Sequence, residues 1–283
     1  MNFLNSILRV SRVKLDILVL ALLILLYESL FLELYMSKWE FDGYTQAYAI
    51  LPITTWLIWR QREVFHISER QYTSIETIGG GALLFAGVML YLLGSRFEYL
   101  SISALSLIPV AFGTVITLYS IKTAAKLSFP ILYMLLLVPP PTSILDSLTL
   151  SMRHGVSVAT AWTLQLLNYP ITRKGLMLNI GDIDIYMGEP CSGFRSLITL
   201  FSLMLAYIYI RKTTLYRKLI LSLFIVPMAL LGNLIRVITV CLLTYYFGEE
   251  IGQGFFHWFS GMLIFSIMLL GMISIEKLIE KVK

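Results

Sequence analysis

Charged residues are scarce in this chain. Of its 283 residues, 14% are Asp, Glu, Lys or Arg, whereas 58% are hydrophobic. A soluble globular domain has about 25% charged and about 45–50% apolar residues. So large an apolar excess cannot be buried in one soluble core. The composition therefore excludes a water-soluble enzyme and predicts an all-α polytopic membrane protein.

Other classes are excluded by what the sequence lacks. Its two cysteines, Cys191 and Cys241, are too far apart for a disulfide framework or a zinc motif. The net charge is only +5 and the basic residues are scattered, which argues against nucleic acid as a partner. The sequence contains no phosphate loop and no cluster of metal ligands, so we expect no metal and no cofactor. Without repeats or a second hydrophilic region, we predict a single domain over residues 1–283.

Eight apolar segments predict about eight transmembrane helices. They cover residues 15–35, 44–59, 75–94, 99–119, 127–139, 193–210, 219–247 and 255–275. The fifth is short, and the sequence leaves open whether it spans fully. With the N-terminus inside, fifteen Lys and Arg residues fall inside and five outside, and cytoplasmic loops favour basic residues. We therefore predict a multi-pass protein of the inner or plasma membrane with both termini cytoplasmic.

An insert of about residues 143–190 separates the fifth and sixth segments. Residues 143–168 are partly apolar, but Asp146, Arg153 and His154 interrupt them. A charge at the bilayer centre costs about 2.5–3.5 kcal/mol, so we expect an extracytoplasmic helix lying in the membrane interface. Residues 171–187 alternate in polarity around Gly181 and Asp182, a pattern typical of a small β-hairpin.

Cys191 lies in the sequence GEPCSGFRS, at the predicted start of the sixth helix. The positive end of the helix dipole and Arg195, one turn further on, both favour its thiolate. The alternative is a buried cysteine with a packing role only. Cys241 lies in the middle of the seventh segment and is interpreted as a small core residue.

Two further polar residues lie in apolar surroundings. Asn233 and Arg236 share one face of the seventh helix, with Arg236 roughly 16 Å from the outer loop along the axis. An ionisable side chain at that depth is a functional candidate, the alternative being an arginine that caps helix carbonyls. The predicted topology places Cys191, Arg236 and His257 on the outer half, where a nucleophile, a cation and a base can share one pocket. His154 lies on the same side and is the main rival to His257 as the base.

These residues carry a resemblance to the exosortase/archaeosortase family of membrane transpeptidases, over nearly the whole chain. The similar stretches are YTQAYAILPITTWLIWRQR, FPILYMLLLVPPP, CSGFRS with Cys191 and Ser192, NLIR with Asn233 and Arg236, and HWFSG with His257. One departure is TQA at residues 45–47, where the family usually has Ser-His-Gly.

The resemblance implies a membrane cysteine protease or transpeptidase with an extracytoplasmic active site. It implies Cys191 as the nucleophile, Arg236 as the essential cation and His257 as the acid and base. Asn233, Arg195 and Ser192 are the expected supporting residues.

The implied substrates are secreted proteins that end in a short motif, a transmembrane helix and a basic tail. The acceptor is water, or an amine or hydroxyl on a membrane lipid or glycan. The substrate helix is expected to enter beside small residues such as Gly79, Gly80, Gly81 and Gly87.

The competing class is a transporter or channel. In that reading Arg236 is an anion site and His257 a proton relay. The sequence shows no inverted repeat of the kind that many transporters have. A structural scaffold is a third class, and it leaves the depth of Arg236 unexplained. The recognised motif, the acceptor and the oligomeric state stay open.

Overall fold

A computed structural model describes residues 2–39, 47–67, 74–188, 192–211, 214–248 and 255–281. The chain packs as two compact units, Met1–Pro140 and Pro141–Lys283. Helices dominate both units, and the second also contains a small sheet. That the chain functions as a single domain stays a prediction.

The first unit consists of helices. They are α1 (Asn2–Glu33, continued by a π-helical turn Leu34–Trp39), α2 (Ala47–Arg60), α3 (Val64–Ile67), α4 (Ser74–Arg96), α5 (Leu100–Leu105), α6 (Leu107–Leu118), α7 (Ile121–Lys126) and α8 (Ser128–Tyr133, continued by a 3-10 turn Met134–Leu137). The second unit holds α9 (Thr142–Leu166), β1 (Ile171–Lys174), β2 (Met177–Ile180), β3 (Ile183–Tyr186), α10 (Phe194–Ile210), α11 (Leu215–Phe247) and α12 (Phe255–Lys281).

Within the described ranges, four helices are long and apolar enough to cross a membrane. They are Asp16–Ser37, Ser74–Arg96, Leu100–Leu118 and Leu215–Phe247. Two further apolar helices, Ser128–Leu137 and Phe194–Ile210, are shorter. The predicted class of helical polytopic membrane protein is therefore supported, whereas the number of eight spans is not confirmed. The fifth segment forms ten helical residues, about 15 Å, which is half of a 30 Å hydrocarbon core.

Glycines on α4 bring this helix into close contact with α6. A Cβ atom on Gly80 would lie 2.9 Å from the backbone nitrogen of Thr117, and one on Gly87 would lie 2.8 Å from that of Val110. The prediction that Gly80 and Gly87 admit a substrate helix is therefore wrong, because α6 already occupies their face. Small residues let two helix backbones approach, and this pair inside the protein uses them.

Gly113 on α6 supplies a direct test of this packing. A Cβ atom there would lie 2.7 Å from Leu84 Cα and 2.9 Å from the Gly80 carbonyl oxygen, both backbone atoms that cannot rotate away. We expect Gly113→Ala to destabilise the protein by about 1–3 kcal/mol. The matched control is Gly81→Ala, because a Cβ on Gly81 meets nothing within 4 Å. Thermal unfolding in detergent measures both, and equal stability of the two variants would contradict the packing.

The insert before Cys191 contains three strands. They form an antiparallel sheet in the order β1-β2-β3, with Arg173 opposite Leu178 and Leu178 opposite Ile185. The predicted single hairpin around Gly181 is therefore incomplete. A second turn at Gly175, whose φ is +65°, folds Lys174 back onto Met177 and creates the additional strand.

One face of the sheet packs on α9 and α11. The shared core contains Val156, Ala161, Leu164, Ile171, Leu178, Ile180, Ile185, Met187, Val237 and Cys241. Cys241 is fully buried there, which confirms its interpretation as a core residue. Helix α9 forms where a helix was predicted and is not among the four apolar helices above. Its position at the membrane interface stays a prediction.

Helices α10, α11 and α12 share a second core. Its buried members are Leu200, Met204, Ile208, Leu221, Ile225, Ala229, Met268 and Met272. Glu276 on α12 is buried at the far end of this bundle, where it accepts hydrogen bonds from Tyr207 Oη and, at 2.9 Å, from Arg211 Nε. Burying this carboxylate is tolerated because it is both ion-paired and hydrogen-bonded, by Tyr207 in the last turn of α10 and by Arg211 directly after that helix.

Candidate active site

The segment after the predicted nucleophile enters α10 through a tight turn. Cys191 itself lies outside the described residues. Ser192 is buried, and its Oγ accepts a hydrogen bond from the backbone N–H of Phe194 at 3.2 Å. Gly193 caps α10 in the left-handed conformation, with φ of +74°. A residue with a side chain is strained at this φ, so the turn requires glycine.

Asn233 lies directly against this turn. A Cβ atom on Gly193 would be 2.6 Å from Asn233 Nδ2 and 2.7 Å from Asn233 Cβ, so the two residues are in close contact. Asn233 is 2% exposed. The fold therefore brings together two stretches that are about forty residues apart in sequence, CSGFR and GNLIR.

Arg236 is half-buried on α11, one turn after Asn233. The two are three residues apart and so lie on one side of the helix. The neighbouring Val237 is buried in the core beneath the sheet, whereas Ile235 is exposed. The Arg236 side chain therefore leaves α11 on the side that packs against the protein and not on the exposed apolar side. This is expected for an arginine within a long apolar helix.

The backbone of His257 belongs to the first turn of α12, and its side chain lies outside what the structure describes. Helix α12 runs antiparallel to α11. A Cβ on Gly232 would lie 2.7 Å from Met268 Cγ, and one on Gly271 would lie 2.8 Å from Met228 Cε. His257 is eleven residues before Met268, about 16 Å along the axis. Its backbone therefore lies nearer the C-terminal end of α11 than Arg236 does.

His154, the rival base, is exposed on α9. Its Nε2 lies 3.4 Å from Nη1 of Arg173 on β1. Val156, two residues further along α9, shares a core with Val237, the residue after Arg236. His154 therefore lies on a helix that shares this core with α11, while its own contact is with the sheet. Both histidines stay candidates for the base.

The two remaining supporting residues differ in environment. Arg195 is exposed in the first turn of α10, so it has the freedom to reach towards Cys191 or towards water. Ser192 is buried, and its hydroxyl holds the turn that starts α10. The contributions of Arg195 and Ser192 to the chemistry of Cys191 both stay predictions.

Two features of this region were not anticipated. The left-handed Gly193 is one, although a glycine just before an apolar helix is a usable signal. The other is Arg153, which the sequence indicated only as a charge that interrupts an apolar stretch. Its Nε is buried on the side of α9 that carries Ser157 and Thr160, which are also buried. The spacing of residues 153, 157 and 160 indicates one helix face.

Long apolar helices, with buried polar residues such as Asn233 packed among them, define the class of helical membrane protein. Comparison with known families then identifies it: the chain belongs to the transmembrane exosortase family, whose model matches residues 39–274. No curated protein and no solved structure matches the chain. The family consists of membrane cysteine transpeptidases, so at this level of detail the protein is a membrane enzyme.

Gly193 allows a test of the contact with Asn233. We expect Gly193→Ala to destabilise the protein through two separate effects. The left-handed backbone costs about 1–2 kcal/mol, and the overlap of the new Cβ with Asn233 costs about 1–3 kcal/mol. Gly175→Ala is the matched control, since its φ is +65° and a Cβ there meets nothing within 4 Å. Unfolding of the purified variants compares the two. If Gly193→Ala is no less stable than Gly175→Ala, the contact is wrong.

Proposed function

We propose that the protein is a cysteine transpeptidase or protease that removes the C-terminal sorting signal of secreted proteins. The observation that supports this most is the contact between Gly193 and Asn233. Cys191 is two residues from Gly193, a link of at most about 7 Å. This short link along the chain is the reason for assigning Cys191, Asn233 and Arg236 to one site.

In the proposed reaction the Cys191 thiolate attacks the carbonyl carbon of the bond to be cut. The new C–S bond gives a tetrahedral oxyanion, and we assign its stabilisation to Arg236 and the Asn233 amide. When the C–N bond breaks, a histidine donates a proton to the departing amine. The product is an acyl thioester on Cys191, and the substrate helix is released.

The second half of the reaction transfers the acyl group. The histidine removes a proton from an amine, a hydroxyl or water, the acceptor attacks the thioester carbonyl, and the C–S bond breaks to restore the thiolate. A lipid or glycan acceptor makes the enzyme a transpeptidase that anchors its substrate, and water makes it a protease. We place this site on the extracytoplasmic side, as the distribution of basic residues favours.

The two cysteines provide the experiment that tests this function. The substrate is a reporter that ends in a short motif, an apolar helix and a basic tail, taken from secreted proteins of the host. When the reporter is expressed with the Cys191→Ala enzyme, we expect its rate of cleavage to be at least 1000-fold lower than with the wild-type enzyme, because no thioester forms. The Cys241→Ala enzyme is expected to cleave the reporter at the wild-type rate, because Cys241 is a buried core residue.

Mass spectrometry of the reporter gives the readout, and the mass of its new C-terminus identifies the acceptor. Cleavage that persists with Cys191→Ala in membranes holding normal amounts of protein would sink the catalytic assignment.

The choice of base is tested by a pair of histidine variants. The family resemblance favours His257, whereas His154 is the rival that the sequence offers on the same predicted side of the membrane. We expect His257→Gln to lower the rate of reporter cleavage by about 100- to 10,000-fold and His154→Gln to change it less than tenfold. The opposite result would assign the base to His154. Equal and small effects of both would contradict histidine catalysis here.

A further inference from the structure

The three-stranded sheet has one closed edge and one open edge. On β1, the outer strand next to α9, the N–H of Ile171 donates to the Tyr169 carbonyl at 2.9 Å, and its carbonyl accepts from Gln165 Nε2 at 3.1 Å. Further along β1, Arg173 contacts His154 of α9. Helix α9 therefore lies beside this edge: Gln165 bonds to the backbone of Ile171, and His154 contacts the side chain of Arg173.

The hydrogen bonds across the sheet show which groups of β3 face outwards. The N–H of Met187 donates to the Leu176 carbonyl at 2.9 Å, in register with the pairing of β2 and β3. In an antiparallel pair, bonded positions alternate with positions whose backbone groups point away. Ile185 and Ile183 therefore bond to β2, whereas Asp184 and Tyr186 direct their backbone groups away from it.

Three of these outward groups have no hydrogen-bond partner among the described residues. The Tyr186 carbonyl accepts from the Gly188 N–H at 2.9 Å. For both backbone groups of Asp184 and for the Tyr186 N–H, no hydrogen bond is found within the part of the chain that the structure describes. Both residues are exposed. An unpaired strand edge of this kind is a template for another extended chain.

The position of β3 relative to Cys191 in the sequence indicates which extended peptide pairs with this edge. Strand β3 leads through Met187 and Gly188 to Cys191, which is five residues after Tyr186. Five residues span at most about 18 Å. A peptide paired with β3 therefore has its cleaved bond within about five residues of the paired segment.

We propose that the edge of β3 binds the substrate as a fourth strand, through the extended residues just before the cleaved bond. The proposal rests on the function proposed above. The residues after that bond lead into the substrate's apolar helix, so the preceding residues are the ones free to adopt a strand. Asp184 N–H, Asp184 C=O and Tyr186 N–H bond to the substrate backbone, and alternate substrate side chains lie over the open face beside Tyr186.

The first test removes one backbone donor. Proline has no N–H and is tolerated on strand edges, so Asp184→Pro deletes a single outward bond. Relative to Asp184→Ala, which loses the same side chain, we expect kcat/KM for the reporter to fall about tenfold. The same comparison on the opposite edge, Arg173→Pro against Arg173→Ala, is expected to show no such difference.

The second test changes only the substrate, so it does not depend on how the enzyme variants fold. Single prolines are placed at each of the six positions before the cleaved bond. Strand pairing predicts that cleavage falls at alternate positions, because every second N–H faces β3. Equal tolerance at all six positions, or equal activity of the Asp184→Pro and Asp184→Ala enzymes, overturns the proposal and leaves the proposed function intact.

If the wild-type enzyme cuts no reporter, the proposed function is contradicted. A photocrosslinker at residue 186 then tests separately whether the substrate docks at β3. Crosslinks from position 186 to the reporter's short motif, and none from a crosslinker at position 174 on the opposite edge, would still support docking at β3. Absence of crosslinks from position 186 would overturn docking as well.

Discussion

The close contact between Gly193 and Asn233 is the constraint on which the candidate site depends. It works only because residue 193 has no side chain and adopts a left-handed φ of +74°. Asn233 is held from the other side, since the adjacent Gly232 packs against Met268 of α12. One small segment of α11 therefore contacts both the turn into α10 and helix α12.

The two cores of the second unit have different roles around that segment. Below it, α10, α11 and α12 form an apolar bundle, fastened at the far end by Glu276 with Tyr207 and Arg211. Above it, the sheet packs on α9 and α11 through residues that include Val237 and Cys241. Close packing transmits small changes in volume, so a site between two such cores has little freedom to relax.

Prediction from sequence succeeded where one property dominates. Long apolar runs identify α1, α4 and α11, because the cost of leaving backbone groups unpaired in lipid permits little except helices. It failed where the outcome depends on a partner. Gly80 and Gly87 have the composition of a docking face, and only packing shows that α6 covers them. The third strand was missed because Gly175 is followed by Leu176 and preceded by Lys174, which is not a recognisable hairpin motif.

The candidate site was predictable to a similar degree. Asn233 and Arg236 stand out because polar residues deep in an apolar helix need a reason. Their contact with the turn at Gly193 has no local signal, since it joins residues forty positions apart. The level of His257 depends on the register of α12 along α11, which is set by glycine and methionine contacts that composition does not reveal. The contact of His154 with Arg173 likewise has no signal in the sequence around either residue.

An open sheet edge in a membrane protein also limits where the chemistry takes place. Hydrocarbon offers no partners to free N–H and C=O groups, and an unpaired edge is not stable within it. The edge of β3 therefore requires water or a bound peptide, which fits a site at the membrane boundary. A substrate leaving its own helix has the same need, because its first extended residues expose the same groups. Pairing the extended substrate with β3 satisfies the backbone groups of both, close in sequence to Cys191, the proposed nucleophile.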